Sequence, residues 1–282
     1  MTSVRESPGE SPRPPRYVTA VIGDFAHAAD DDRHHHLGHW DDPDNAVPGS
    51  RAHAQDRMVE VLVELVGVGP ADVVLDVGCG FGGTLAWLSR AGLGSTLLGL
   101  DVDIRQLRND LPLGRTLPRE PSWIQGDGAR LPVVAASIDR ALAIEVLWHL
   151  PSRADFFAEM ARVLRPGGRV ALVDLLLEPG AADHLGVSED TLAATLREGF
   201  DPWPEVHATL DDVLGSAERS GLSLVAHRDA TAATAPTYLD HGDAARRPGA
   251  ASLSGSASVA CFVQLQRAGM LRVHYVALEV PR

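Results

Sequence analysis

The sequence predicts an α/β fold, a mostly parallel sheet with helices on both faces. Six runs rich in Val, Leu and Ile and a seventh, shorter one at Ser122–Gln125 recur along the chain, separated by stretches with apolar residues at helical spacing. One of them, Ile138–Val146, is apolar nearly throughout at Ala141–Ile144, the pattern of a strand buried on both faces. Another, VVLDVGCGFGG at Val73–Gly83, joins a strand to a helix through Gly78, Gly80, Gly82 and Gly83.

At 282 residues the chain can bury a full core, so one domain with embellishments is expected. Its formal net charge of −13 argues against nucleic acid and anionic membrane surfaces as partners. No apolar run reaches the length of a membrane span, and MTSVRESPGESPRPPR at the start lacks the apolar stretch of a secretory signal. The two cysteines, one of them in the glycine loop, do not make a disulfide framework, which points to a reduced, cytoplasmic protein. A small molecule is the expected partner, and a homodimer stays open.

Residues 1–16, rich in Pro, Ser, Glu and Arg, cannot bury enough apolar surface to offset the entropy of ordering, so a disordered tail is expected. Residues 17–49 form a separate N-terminal segment. Its run DDDRHHHLGHWDDPD, Asp30–Asp44, holds six carboxylates and four histidines. Consecutive His34–His36 point in different directions in helix or strand, poor geometry for one metal site, so no metal is expected. A solvated polar loop and a lid over a ligand pocket are the two readings left.

The domain proper is expected over 50–282. Met58, Val61, Leu62, Leu65 and Val66 fall at helical spacing, and Gly67, Gly69 and Pro70 end that helix. Strand Val73–Val77, the glycine loop and a helix follow, then a second strand, Thr96–Leu100, ending at Asp101. Asp103 reads as a helix cap. That helix is expected to be short, since Pro112, Pro118 and Pro121 interrupt it. Ser122–Pro132 reads as a third strand and a turn; Glu145 and His149 emerge at the end of the fourth. Ser152 and Asp155 open a helix in capping-box fashion, with Phe156, Phe157, Met160, Val163 and Leu164 inward. It is expected to end at Pro166–Gly168, where a fifth strand begins. Residues 178–208, with Trp203 between two prolines, are expected to be an insertion capping the strand ends. Thr209 and Asp212 start another helix, Gly221 stops it, and Leu222–Ala226 is a sixth strand. Residues 231–258, rich in Ala, Ser, Gly and Thr, are expected to be mobile or weakly helical. Ala260–Ala268 reads as a helix and Leu271–Val280 as the last strand.

The glycine loop bears on the ligand class. A strand, a tight turn and a helix N-terminus present free backbone N–H groups, and glycines let a ligand approach that backbone closely. Gly78, Gly80 and Gly83 also satisfy the dinucleotide fingerprint Gly-x-Gly-x-x-Gly, with Asp101 near the spacing of a ribose-binding acid. Asp76, however, would lie beside a pyrophosphate and repel it. It would favour S-adenosylmethionine (SAM), which carries an ammonium and a sulfonium and no phosphate. Asp101, at the carboxyl end of its strand, can accept from both ribose hydroxyls.

LDVGCGFGG resembles motif I of the class I SAM-dependent methyltransferases, and Leu164–Gly168, LRPGG, is a string frequent in that family. The resemblance covers roughly Ser50–Val280. It implies a Rossmann-like, seven-stranded sheet, mostly parallel with one antiparallel strand, helices on both faces, an N-terminal lid and a cap insertion. It also implies SAM as cofactor, S-adenosylhomocysteine as product, and cofactor contacts from Asp76, Gly78, Cys79, Gly80, Asp101, Val102, Gln106, Asp127, Gly128, Ala129 and Glu145. Asp127 would meet the adenine amino group. His36–Trp40 resembles an H-x-G-x-W lid pattern of natural-product members, with His36, His39 and Trp40 as its expected pocket-facing residues and Trp148 and Trp203 on the acceptor side. The interrupted helix after Asp101 departs from the family's longer one.

The similar kinds are sugar and polyketide O-methyltransferases and prenyl-diphosphate C-methyltransferases. HHHLG resembles a string in the latter, which hold their diphosphate through magnesium. A chain this negative gives no help with a diphosphate, so a hydroxyl acceptor is expected, with magnesium relevant only to a diphosphate. A cyclase or isomerase that keeps SAM without transferring its methyl stays open beside it. A hydroxyl nucleophile must lose its proton, and His149, with an unperturbed pKa of about 6.5, is the expected base. Glu145 is expected to bind SAM, orient His149 or stabilise a cation.

Overall fold

The computed structural model describes residues 18–19, 34–47, 50–107, 117–244 and 257–282, with the backbone alone at 238–244. The expected tail at 1–16, Asp30–Asp32, Pro112 and the stretch 245–256 lie outside the described residues.

Helix α1 (Arg51–Val66) turns Met58, Leu62 and Val66 inward and stops at Gly67, whose φ of 65° only glycine adopts without strain. Seven strands form one sheet: β1 (Val73–Val77), β2 (Thr96–Asp101), β3 (Ser122–Gln125), β4 (Ile138–Ile144), β5 (Leu164–Leu177), β6 (Ser223–Asp229) and β7 (Leu271–Glu279). Their order is β3-β2-β1-β4-β5-β7-β6. The pairs from β3 through β5 are parallel, and β7 runs antiparallel between β5 and β6. Chain order reverses between β1 and β4, so the crevice of an open α/β sheet opens where those two strands end. The glycine loop and Glu145 therefore become neighbours.

Between the strands lie α2 (Gly83–Arg90), α3 (Ile104–Leu107), α4 (Arg153–Val163), α5 (Ala181–Leu185), α6 (Glu189–Phe200), α7 (Leu210–Arg219), α8 (Thr231–Ala244) and α9 (Ala257–Arg267). Both sheet faces are covered. Val74, Leu142, Ala171, Val173 and Tyr275 join one core with Met58, Leu62, Leu85, Leu196 and Phe262. Their strand neighbours Leu75, Ala141, Val170, Leu172 and Val276 join a second core with Phe156, Phe157, Met160 and Val213. The alternation is the period of two of a strand, and both sets are apolar because neither face of the central strands meets water, whereas the edge strands β3 and β6 are mostly exposed.

The structure differs from the sequence reading in four places. Helix α4 ends earlier, and Leu164 is already extended (φ −70°, ψ 143°) and paired with Ile138, so Arg165–Gly168 belong to β5. Gly167 N–H donates to Val280 O and Val280 N–H to Gly168 O, pairing that makes a loop-like string a strand. The stretch 178–208 holds two helices, α6 being capped where Ser188 Oγ accepts from Thr191 N–H. Strand β6 runs on to Asp229. Residues 231–244 form a helix despite Pro236. There Thr234 returns its hydroxyl to Ala230 O, and Trp40 N–H and Gly38 N–H pair with Ala233 O and Thr237 Oγ1. These tertiary bonds organise a segment whose side chains alone give a weak helical signal.

Candidate active site

The sheet crevice is built from the end of β1 upward. Gly78 and Gly80 take φ of 71° and 52°, and a Cβ on Gly78 would lie 2.4 Å from the Val146 side chain. The Gly78 and Cys79 N–H groups converge on Leu100 O at 2.8 and 3.0 Å, tying the loop to β2. Gly80 N–H donates to Asp101 Oδ2 at 3.0 Å. Cys79 is buried, and burial raises its thiol well above the usual range, with Asp76 and Asp101 adding to the effect. It is a packed loop residue rather than an exposed thiol.

Two acids bracket this loop. Asp76 is 2% exposed, and its Oδ2 has no hydrogen-bond partner among the described residues. Burial, then the charge of Asp101, pushes its carboxyl up to about 8. An orphaned buried acceptor costs on the order of 1–3 kcal/mol, which a cation arriving beside it would recover. Asp101 is differently placed: it accepts from Gly80 N–H, from Asp103 N–H at 2.8 Å and from Gln106 Nε2 at 3.2 Å. Burial raises its pKa, opposed by those donors. Asp103 accepts from Arg105 N–H at 2.9 Å and pairs with the Arg105 guanidinium, the cap the sequence suggested.

Where β4 ends, Glu145 has φ 55°, a left-handed conformation that stores about 1–3 kcal/mol in a residue with a Cβ. Its Oε1 accepts from Leu37 N–H at 2.7 Å, and burial pushes its carboxyl up to about 7. A short 3₁₀ turn then carries His149. Its Nδ1 lies 2.9 Å from Pro202 O, a group that can only accept, so the proton sits on Nδ1 and the basic lone pair of the neutral ring on Nε2. Burial lowers its pKa to about 4 against the opposing pull of Pro202 O and Asp201. Trp148 stacks on His149 (ring centroids 4.1 Å apart), donates Nε1–H to Glu145 O, and meets Trp203 edge-on at 4.7 Å.

The segment 34–40 lies across these strand ends as a strap. Gln55 Nε2 donates to His34 O and His36 O, and His39 N–H to Ala54 O. His36 is buried between Leu37 O (2.6 Å from Nδ1) and His34 Nδ1 (2.9 Å from Nε2). His39 Nδ1 faces Tyr275 OH at 3.2 Å, and Trp40 is buried with Nε1–H on Ser50 Oγ.

The cleft spans about 870 Å³, counting its mouth to solvent, and Gly78, Gly80, Asp101, Val102, Gln106, Asp127, Gly128, Glu145 and His149 line it together. Asp76 lies beneath rather than in that lining. Asp127 Oδ1 accepts from Ala129 N–H at 2.9 Å, holding the turn in which Gly128 sits. The structure does not bring His36, His39, Trp40, Trp148 or Trp203 to this wall. The expected lid side chains point inward because their ring nitrogens find partners there, and the two tryptophans belong to the core behind His149. The strap residue on the wall is His35, with Val18 and Pro202 nearby. Nothing local distinguishes three consecutive histidines, so which of them would face the cleft was not legible beforehand.

A family model described as "Methyltransferase domain" matches residues 75–172, from β1 to the middle of β5. Methyltransferase GfsG of Streptomyces halstedii is 36% identical over 206 residues, covering 72% of this chain and 70% of that protein. The chain belongs to the SAM-dependent methyltransferases. The 27-O-demethylrifamycin SV methyltransferase of Amycolatopsis mediterranei (strain S699) is 30% identical over 205 residues, 72% of this chain and 71% of that one. The crystal structure of the [4+2]-cyclase SpnF aligns with a TM-score of 0.71 at 19% identity, over 94% of this chain and 93% of that one; at that identity it shows the shared fold alone. The residues of this methyltransferase fit its cofactor, since Gly78, Gly80 and Asp101 line one cleft and the buried Asp76 Oδ2 beneath it has no hydrogen-bond partner among the described residues. No helix among the described residues is long and apolar enough to cross a membrane.

Proposed function

We propose that this methyltransferase acts on a hydroxyl oxygen of a small secondary metabolite, with His149 as the base that takes the hydroxyl proton at Nε2. The observation behind this reading is that His149, fixed in its Nε2-basic form by Pro202, shares one cleft with Gly78, Gly80 and Asp101. A histidine held near 4 is neutral at pH 7, and a base this weak suits an acidic hydroxyl, phenolic or enolic, better than an aliphatic one. The name of the Amycolatopsis relative, an O-methylating one, favours the same acceptor atom.

When bound, SAM supplies an electrophilic methyl on a sulfonium. The chain's own residues hold and orient. Asp76 faces the donor's cationic end, Gly78, Cys79 and Gly80 receive it on their backbone, and Asp101 takes the ribose. A carboxylate has about four acceptor sites, and Asp101 already uses three (Gly80, Asp103 and Gln106), so Gln106 would yield one. Val102, Asp127, Gly128 and Ala129 form the adenine side. The strap within 17–49 serves as lid and 178–208 as cap, a role supported by His35 and Pro202 on the cleft wall. Excluding water and aligning the hydroxyl can supply on the order of 7–11 kcal/mol.

C-methylation draws on one specific observation, the buried Glu145 carboxyl, which could stabilise a cationic intermediate. The pH profile separates the two. With a phenolic acceptor, the acid limb of kcat/KM is expected near 4, where His149 becomes protonated; a limb near 7 would give the role to Glu145. His149→Ala is expected to lower kcat by about 10²–10⁴-fold, with SAM affinity by calorimetry within a few-fold of the parent. Unchanged turnover would remove His149 from the chemistry. Formation of S-adenosylhomocysteine together with methylated product distinguishes transfer from a cyclase that only holds SAM.

A further inference from the structure

The loop after α6 is bounded by Pro202 and Pro204, which lack N–H groups and cannot join a helix or a sheet ladder. Its carbonyls need donors from elsewhere. They find them in succession: Pro202 O takes His149 Nδ1–H (2.9 Å), Trp203 O takes Arg197 Nε–H (3.0 Å), Pro204 O takes Arg197 Nη2–H (3.2 Å) and Glu205 O takes Arg153 Nη1–H (3.3 Å). Arg153 is itself 3% exposed. It grips Asp174 on β5 through Nε (2.8 Å to Oδ2) and Nη2 (3.2 Å to Oδ1), and it reaches Glu205 Oε2 with Nη1 at 3.1 Å. One loop is thus bolted to the sheet by Arg153 and to α6 by Arg197, and its first carbonyl sets the proton on His149.

We infer that Arg153 and Arg197 are positioning residues for His149, fixing the Pro202 carbonyl and through it the Nε2-basic tautomer. This rests on the reading of His149 as base, yet it makes a claim about the ring that does not need turnover to be seen. A planar fork with a permanent charge suits this role. Arg197 holds two successive carbonyls from one guanidinium, which a lysine ammonium on a flexible stem cannot do as rigidly. Trp148, stacked on the ring of His149 and edge-on to Trp203, links the same loop to the ring face. Loosening the loop lets water reach a histidine whose pKa is lowered chiefly by burial, so its protonation and its tautomer should both change.

The experiment uses the full chain. Arg197 lies on the exposed side of α6, so Arg197→Gln should fold normally, which a thermal melt verifies. Nitrogen-15 NMR of the imidazoles is expected to show His149 as a single Nε2-basic tautomer in the parent and a mixture in Arg197→Gln. The acid limb of kcat/KM should move up toward the unperturbed value of about 6.5, kcat should fall about tenfold, and SAM affinity should stay within a few-fold. Arg197→Lys should lie between the two. Arg153→Lys, which keeps a cation opposite the buried Asp174, should repeat the pattern. Unchanged nitrogen shifts and an unchanged pH profile in both Gln and Lys variants would overturn the inference. If His149→Ala keeps full turnover while Arg197→Gln still scrambles the tautomer, the base reading fails and the positioning stands.

Discussion

Asp76 is the residue at which burial, charge and ligand meet most directly. Its carboxyl, pushed to about 8, holds a proton in the ligand-free protein at pH 7. A cation placed beside it favours the ionised form, so binding SAM at pH 7 should release close to a full proton, and affinity should rise with pH until about 8. Calorimetry in buffers of different ionisation enthalpy reads that release directly. Asp76→Asn is expected to bind more weakly and to release markedly fewer protons; equal release by parent and variant would mean that Asp76 meets no cation. Asp76, Asp101 and Glu145 were candidates in the sequence because each lies at or just beyond the carboxyl end of a strand recognisable by its apolar run, and His149 because it follows on the same exit, in the turn after β4. His35 could not. Which of three adjacent histidines faces a cleft depends on the path of the strap, fixed by Gln55 and Thr237 far along the chain.

Among the elements, α4 carries the most local instruction. Ser152 Oγ accepts from Asp155 N–H at 3.1 Å, and Phe156, Phe157 and Met160 bury the inward face. The cap also sets where the chain leaving His149 enters the helix. Ser152→Ala is expected to cost about 1 kcal/mol, the usual value of an N-cap side chain, measured by urea unfolding. A change in denaturant slope rather than midpoint would show that the cap governs more than one helix end. The capping box at Thr209–Asp212 was equally plain in the sequence, because capping is chemistry between near neighbours. Helix α8 was not, because Ala and Thr carry no strong face and its order comes from the strap and from β7. Strand β5 was read too short for a similar reason: Pro166–Gly168 signal a turn locally, and only pairing with the end of β7 makes them strand.

For the molecule as a whole, charge sets how the cofactor arrives. A protein of formal charge −13 attracts SAM, which carries one net positive charge, and attracts uncharged S-adenosylhomocysteine much less. The association rate of SAM should therefore fall several-fold from about 0.01 to 1 M salt, over which the Debye length shrinks from about 30 to 3 Å. The rate for S-adenosylhomocysteine should barely move. Stopped-flow tryptophan fluorescence checks both, and equal salt slopes would show that the global charge plays no part in delivery.

By itself the sequence determined the sheet's seven strands, the glycine loop, the cofactor class and the two acids that flank the loop, since these follow from periodicity, glycine conformations and charge within a few residues. Only the tertiary structure decided that Trp148 and Trp203 are core, that His35 rather than His36, His39 or Trp40 lines the cleft, and that Arg153 and Arg197 hold the loop behind His149. Arg197 apart, which reaches carbonyls six and seven residues ahead, these depend on contacts between segments well separated in the chain, which only the packing brings together.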